Sequence, residues 1–234
     1  MTGLDDGLVV LTGAGISRES GLATFRDPGG VWSQVRLEDV ATPEAFARDP
    51  GRVHAFYNAR RRQLADPAIA PNAAHRALAE LERVWRGPFL LVTQNVDDLH
   101  ERAGSVALLH MHGRLRVSRC IHCGTTHGAD TDLSVRTACP GCGRTGGMRP
   151  DVVWFGEMPR EMERIEAALD RCRLFVAIGT SGSVYPAAGF AAQVRGRART
   201  VELNLEPSGG RFDEGRYGPA TGVVPEWVES LTRR

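Results

Sequence analysis

The sequence predicts an α/β protein: a Rossmann-like, doubly wound parallel sheet with a smaller inserted lobe made of a helical module and a zinc ribbon. Three observations predict it. Apolar runs at Leu8 to Leu11, Phe89 to Val92, Leu174 to Ile178 and Val201 to Leu205 are continuous, as in strands buried on both faces. Helical spacing recurs between them, and such alternation builds a doubly wound sheet. Two Cys-x-x-Cys pairs interrupt the alternation within a stretch rich in Gly and turn formers. The expected division is a nucleotide-binding domain from residues 1–35, 71–112 and 151–234, with a helical module at 36–70 and a zinc-ribbon module at 113–150.

The first run leads into Gly13-Ala14-Gly15-Ile16-Ser17, where two glycines let the backbone approach a pyrophosphate and the amides of a helix start point at its charge. The next glycine is Gly21, so the pattern is not the usual dinucleotide fingerprint; Ser17, Ser20, Thr24 and Arg26 crowd the loop instead and suggest that it wraps the reactive end of a nucleotide. Thr42 and Pro43 start a helix, and a second is expected over Arg52 to Leu64. Asn72 caps a third, whose Ala74, Ala77, Leu78 and Leu81 share one face. Gln94, Asn95 and Asp97 lie just past the second strand, at the carboxyl edge where an open sheet puts its ligands. Alternatively, Asn95 and Asp97 only cap the turn before Leu99. His110 and His112 follow Val106 to Leu109, and if that run is a strand the two side chains share a face. Met162, Ile165, Ala168 and Leu169 repeat the helical spacing, and Gly179-Thr180-Ser181 and Asn204-Leu205-Glu206 close the last two strands.

At 234 residues the chain can bury one sizeable core with a satellite lobe. With 29 basic and 28 acidic side chains the net charge is +1, which favours neither a nucleic acid nor a membrane surface. The start, Met1 to Asp6, lacks a basic region followed by an apolar core, and no later run reaches the length of a membrane span, so a cytoplasmic protein is expected. The absence of a coiled-coil repeat reads as a monomer.

Cys120 with Cys123, and Cys139 with Cys142, each set two sulfurs on a tight knuckle, and fifteen residues between the pairs let them meet around one tetrahedral ion. Four thiolates close the coordination shell, so the zinc is structural, and His122 and His127 are not needed as ligands. A zinc ribbon also suggests a nucleic-acid binder, but residues 113–150 carry no aromatic side chain for base stacking. Cys172 reads as a small core residue.

The run from Gly13 through Ser17, Ser20, Gly21, Thr24, Phe25 and Arg26 resembles the first motif of the sirtuin family of NAD-dependent lysine deacylases. The likeness continues through Gln94-Asn95-Val96-Asp97, His110-Met111-His112-Gly113, the paired cysteines, Trp154-Phe155-Gly156-Glu157, Gly179-Thr180-Ser181 and Asn204-Leu205-Glu206. The chain resembles bacterial CobB-type members of the class that removes succinyl as well as acetyl groups. The resemblance implies that Gly13, Ala14, Gly15, Ile16, Ser17, Ser20, Gly21, Thr24, Phe25, Arg26, Trp32, Gln94, Asn95, Val96, Asp97, Gly179, Thr180, Ser181, Asn204, Leu205, Glu206 and Ala220 bind NAD. It selects His112, the histidine directly before the glycine, as catalytic base, with Asn95 and Asp97 beside it. The implied reaction has the acyl oxygen attack C1′ of the ribose as nicotinamide leaves, and His112 deprotonates a ribose hydroxyl that attacks in turn. Free lysine and O-acyl-ADP-ribose are the products.

By the same resemblance, Val153, Phe155, Gly156 and Glu157 meet an acyl-lysine peptide by strand addition. Tyr57 and Arg60, which read without it as part of a solvated basic helix, would bind the distal carboxylate of succinyl-lysine, with the small Ala41 leaving room. Two rivals stay open: ADP-ribosyl transfer or NAD hydrolysis, and hydride transfer on the same fold.

Overall fold

The computed structural model describes residues 3–22 and 35–233. Its main sheet has six strands, all parallel: β1 Leu8–Thr12, β2 Phe89–Thr93, β3 Leu108–His110, β7 Leu174–Ile178, β8 Arg199–Asn204 and β9 Glu214–Tyr217. Their order is β3-β2-β1-β7-β8-β9. The chain therefore winds outward from β1 in one direction and from β7 in the other, and the reversal leaves a crevice beyond the carboxyl ends of β1 and β7.

Neighbouring side chains of β1 point to opposite faces, and both faces are covered. Leu8 and Val10 pack with Leu78 and Leu81 of helix α3 (Ala73–Val84) and with Val224 and Trp227 of helix α7 (Ala220–Thr232). Val9 and Leu11 pack with Ile165 and Leu169 of α5 (Met162–Arg171) and with Phe190 and Val194 of α6 (Phe190–Val194). This double coverage is why β1 and β7 are buried at every position and apolar at all but Thr12. Phe175 is fully buried on the α5 side, so Phe175→Ala is expected to cost about 3–5 kcal/mol. A thermal melt should fall by about 10 °C; a change under a few degrees would show that the neighbouring side chains refill the space.

The small lobe joins two parts. The first holds helices α1 (Pro43–Arg48) and α2 (Pro50–Leu64), each with proline in the first turn and a side-chain cap, from Thr42 and Asp49. The second is a three-stranded antiparallel sheet of β4 (Gly113–Cys120), β5 (Thr126–Gly128) and β6 (Met148–Val152), in the order β5-β4-β6. Its last strand runs two residues past the expected edge at 150, because Asp151 and Val152 still pair with Arg114 and Gly113. Helix α2 is bound to this sheet: His54 Nε2 meets the Met148 carbonyl at 2.8 Å, and the Asn58 amide donates to Leu133 O at 2.9 Å and accepts from Leu133 N at 3.0 Å.

The edge strand β9 is not foreseen from its sequence, Glu-Gly-Arg-Tyr, because a half-exposed edge needs no apolar run. The fourth apolar run is shifted: β8 begins at Arg199 and ends at Asn204, leaving Leu205 48% exposed.

Candidate active site

The loops after β1 and β7 close on each other. Gly13 N donates to Ile178 O at 2.9 Å and Gly15 N to Gly179 O at 2.8 Å. A Cβ on Gly15 would lie 2.7 Å from Gly179 Cα, and one on Gly179, whose φ is +60°, would lie 2.4 Å from Ile16 N. The glycines thus permit close backbone approach, but part of what they approach is the neighbouring loop. The expected helix start is a 3-10 helix, Ala14–Ser20, and Gly21 ends it at φ +88°. Thr24, Phe25, Arg26 and Trp32 lie outside the described residues.

Behind this loop is a buried polar network. Asn95, 6% exposed, donates from Nδ2 to Gly13 O and to Ser17 Oγ, both at 3.1 Å. Ser17 Oγ in turn donates to Asp97 Oδ2 at 3.0 Å. Asp97 Oδ1 also accepts from Leu99 N at 3.1 Å, so the turn-capping alternative holds for Asp97 in addition to its place in the network. Burial pushes the Asp97 carboxyl upward, against the hydrogen bonds from Leu99 and Ser17.

His75 and His100, absent from the residues expected above, stand below, with ring centroids 4.9 Å apart. Burial lowers His75 to about 4 and His100 well below its usual value, so both are neutral at pH 7 and serve as hydrogen-bonding groups. His100 Nε2 meets Thr12 Oγ1 at 3.0 Å, and His75 completes a capping box with Asn72, whose amide holds Ile16 O and Ser20 Oγ. The signal that could have found His75 is its position three residues after the cap.

The two candidate histidines differ. Strand β3 ends at His110, so His112 lies in the turn beyond it and the shared strand face is not formed. Both nitrogens of His110 meet oxygen acceptors, Asn95 O at 3.1 Å and Glu101 Oε1 at 2.8 Å, so both sides of this ring are engaged within the protein. His112 Nδ1 donates to Gln94 O at 3.0 Å, which directs the lone pair to Nε2, and Nε2 has no protein partner among the described residues. Burial lowers the His112 pKa, with the Gln94 hydrogen bond acting the other way.

On the far side of the crevice, Gln94 Nε2 donates to Thr180 Oγ1 at 3.1 Å and Asn204 Nδ2 to Thr180 O at 2.8 Å. Ser181 and Glu206 are on the open side, whereas Ala220, the first residue of α7, packs into the core with Val224. Val153 N donates to His112 O at 2.8 Å and Phe155 N to Ala41 O at 3.0 Å, so the Val153 to Glu157 segment runs between the histidine turn and the helical module. Phe155 is 55% exposed, and Gly156 adopts φ +88°.

Tyr57 is not on a solvated face: it is buried, and burial pushes its phenol up to about 12 against the hydrogen bond from Trp154. Arg60 is half-buried and lines a pocket with Ala14, Ser17, Asn95, Val96 and Asp97. Burial lowers its pKa while Tyr57 and Asp97 support its charge.

The four cysteine sulfurs lie within 4.8 Å of one another, with Cys120 to Cys142 at 3.8 Å and Cys123 to Cys139 at 3.7 Å. A tetrahedron with zinc–sulfur bonds of about 2.3 Å has its corners about 3.8 Å apart, so the residues fit the ion. His127 Nε2 stands 3.8 Å from Cys139 Sγ and 3.1 Å from Thr125 Oγ1, outside the sulfur cluster.

An open parallel sheet with glycine-lined loops at its switch point, a base-competent histidine and a four-cysteine ribbon defines a nucleotide-binding α/β protein with a metal-stabilised second lobe. The Sir2 family pattern matches residues 13–186, and the chain belongs to that family. It is 57% identical over 223 residues to the NAD-dependent protein deacylase of Bdellovibrio bacteriovorus, covering 94% of each chain. Among solved structures it is similar to a Sir2 homologue in complex with NAD, at TM-score 0.87 and 40% identity, over 97% of this chain and 89% of the other. It is also similar to a Sir2 protein bound to a myristoylated histone peptide, at TM-score 0.71 and 31% identity, over 97% and 91%.

Proposed function

We propose that the chain is an NAD-dependent protein-lysine deacylase that removes acetyl and succinyl groups, releasing nicotinamide and O-acyl-ADP-ribose. The observation that carries the reading is His112, whose Nδ1 is committed to Gln94 O while Nε2 has no protein partner among the described residues. Family membership and the NAD complex of a homologue support it. When bound, NAD supplies a ribose carbon whose bond to nicotinamide can break with positive charge on the sugar.

The chain's residues supply the rest. Asn95 and Asp97, tied to each other through Ser17, hold the nicotinamide and ribose end in one orientation. Gly13 to Ile16, Gly179 to Ser181 and Asn204 to Glu206 line the phosphate and adenosine path. His112 Nε2 accepts the proton of a ribose hydroxyl, and the Gln94 hydrogen bond keeps the imidazole in the tautomer that can do so. Phe155 covers the lysine stem, and Tyr57 and Arg60 face the acyl end, with Arg60 lining the pocket that also holds Asn95 and Asp97.

Nicotinamide release from NAD, measured with no peptide, with acetyl-lysine peptide and with succinyl-lysine peptide, tests the function. Release that needs an acylated peptide supports the deacylase; release without it means hydrolase or transferase chemistry. Arg60→Met is expected to lower the succinyl-to-acetyl ratio of kcat/KM by about 10- to 100-fold, the loss of a charge-assisted hydrogen bond. An equal fall with both peptides would mean that Arg60 only supports the fold.

A further inference from the structure

Trp154 and Tyr57 are 97 residues apart in sequence, and the indole Nε1 of the first donates to the hydroxyl of the second at 2.9 Å, with both side chains buried. An indole N–H can only donate. The bond therefore occupies an acceptor site of the phenol and leaves the phenol's own hydrogen to be given elsewhere. Among the described residues no oxygen or nitrogen takes it.

The indole is held on several sides. The Arg149 guanidinium lies 3.3 Å from the Trp154 ring centroid, and the Phe46 ring packs at 5.5 Å. Arg149 grips Glu157 through Nη1 to Oε1 at 2.6 Å and Nη2 to Oε2 at 2.9 Å. The same Oε2 accepts from Trp154 N at 2.8 Å, so the ion pair fixes the backbone of the residue whose ring it also covers. Against the upward pull of burial, these hydrogen bonds hold Glu157 below the usual carboxylate range, so its side chain is a carboxylate at neutral pH.

We propose that Trp154, fixed by the Arg149–Glu157 pair, is a specificity-determining positioning residue that turns the Tyr57 hydroxyl into a dedicated donor toward an acyl chain ending in a carboxylate. The inference rests on the reading of Tyr57 and Arg60 as the acid-binding pair. A carboxylate only accepts hydrogen bonds, so a phenol whose acceptor side is already filled is matched to it. An acetyl group has no distal oxygen to receive the bond, and the preference is therefore read in the ratio of the two activities.

Trp154→Phe keeps a ring for Arg149 and Phe46 and removes the donor. The succinyl-to-acetyl ratio of kcat/KM is expected to fall about three- to tenfold, mainly through KM for the succinyl peptide. In a Tyr57→Phe background the same change should leave the ratio where it is, because the hydroxyl it orients is gone. A ratio unmoved by Trp154→Phe, or an equal fall in both backgrounds, overturns the proposal. If Trp154→Phe does not fold, the isostere bearing sulfur in place of the indole N–H at position 154 takes its place with the same expectations. Arg60→Met separates the two readings. If it leaves the ratio unchanged, the acid-binding pair itself is wrong; if it lowers the ratio while Trp154→Phe does not, only the role of Trp154 fails.

Discussion

His112→Ala is expected to lower nicotinamide release driven by acyl-lysine peptide by about 10²- to 10⁴-fold, the range for loss of a general base. The side chain is half-buried and, among the described residues, its one protein hydrogen bond is to Gln94 O, so alanine removes little packing and the melting temperature should move by only a few degrees. Full turnover in the variant would sink the assignment, and His110 is a poor substitute because Asn95 O and Glu101 already occupy both of its nitrogens. The pH profile gives a second reading of the same residue. Burial lowers the His112 pKa, and the neutral form is the base, so activity should persist below the ordinary imidazole value of 6.5 and decline only as the lowered pKa is reached. An acid limb of kcat/KM at or above 6.5 would contradict the burial of the imidazole.

Much of the sheet is legible in the sequence because burial on both faces leaves no choice of residue: Leu8 to Leu11 and Leu174 to Ile178 are apolar throughout and become the two central strands. β9 is illegible for the opposite reason. It has one neighbour and an exposed edge, so backbone hydrogen bonds with Asn204 and its neighbours define it rather than side-chain burial. The ribbon strands are hidden by their Gly, Pro and Cys content, since metal-site spacing and not apolar periodicity specifies that fold.

In the site, the glycine pair and the acidic and amide residues after β2 announce themselves because their backbone positions are constrained. The layer beneath them does not. His75, His100 and Thr12 are spread over three elements and meet only in the folded protein, as do Trp154 and Tyr57. The choice between His110 and His112 rests, in sequence, on the family likeness alone; in the structure it rests on which ring nitrogen remains without an acceptor.

Removal of zinc is expected to be the most destabilising change that leaves the main sheet intact. The protein should carry one ion per chain, and chelation or Cys139→Ser should lower the melting temperature by about 10 °C or more. A structural zinc contributes about 10–16 kcal/mol in isolated fingers. Even about 3 kcal/mol of that would shift a chain of this size by roughly 6–12 °C. Cys120, Cys139 and Met148 are buried together, so loss of the ion releases the end of β6, and with it the Met148 carbonyl that holds His54. The Asn58 pair of bonds to Leu133 belongs to the same contact. The consequence for function runs through α2: with its anchors gone, the helix that carries Tyr57 and Arg60 loses its place against Trp154 and the crevice. Amide exchange should therefore speed up in residues 113–150 and in α2, while α3 and α7, packed on the far face of the sheet, keep their protection. Metal-free protein with unchanged melting and unchanged exchange in α2 would show that the ribbon folds without its ion and does not support the acyl site.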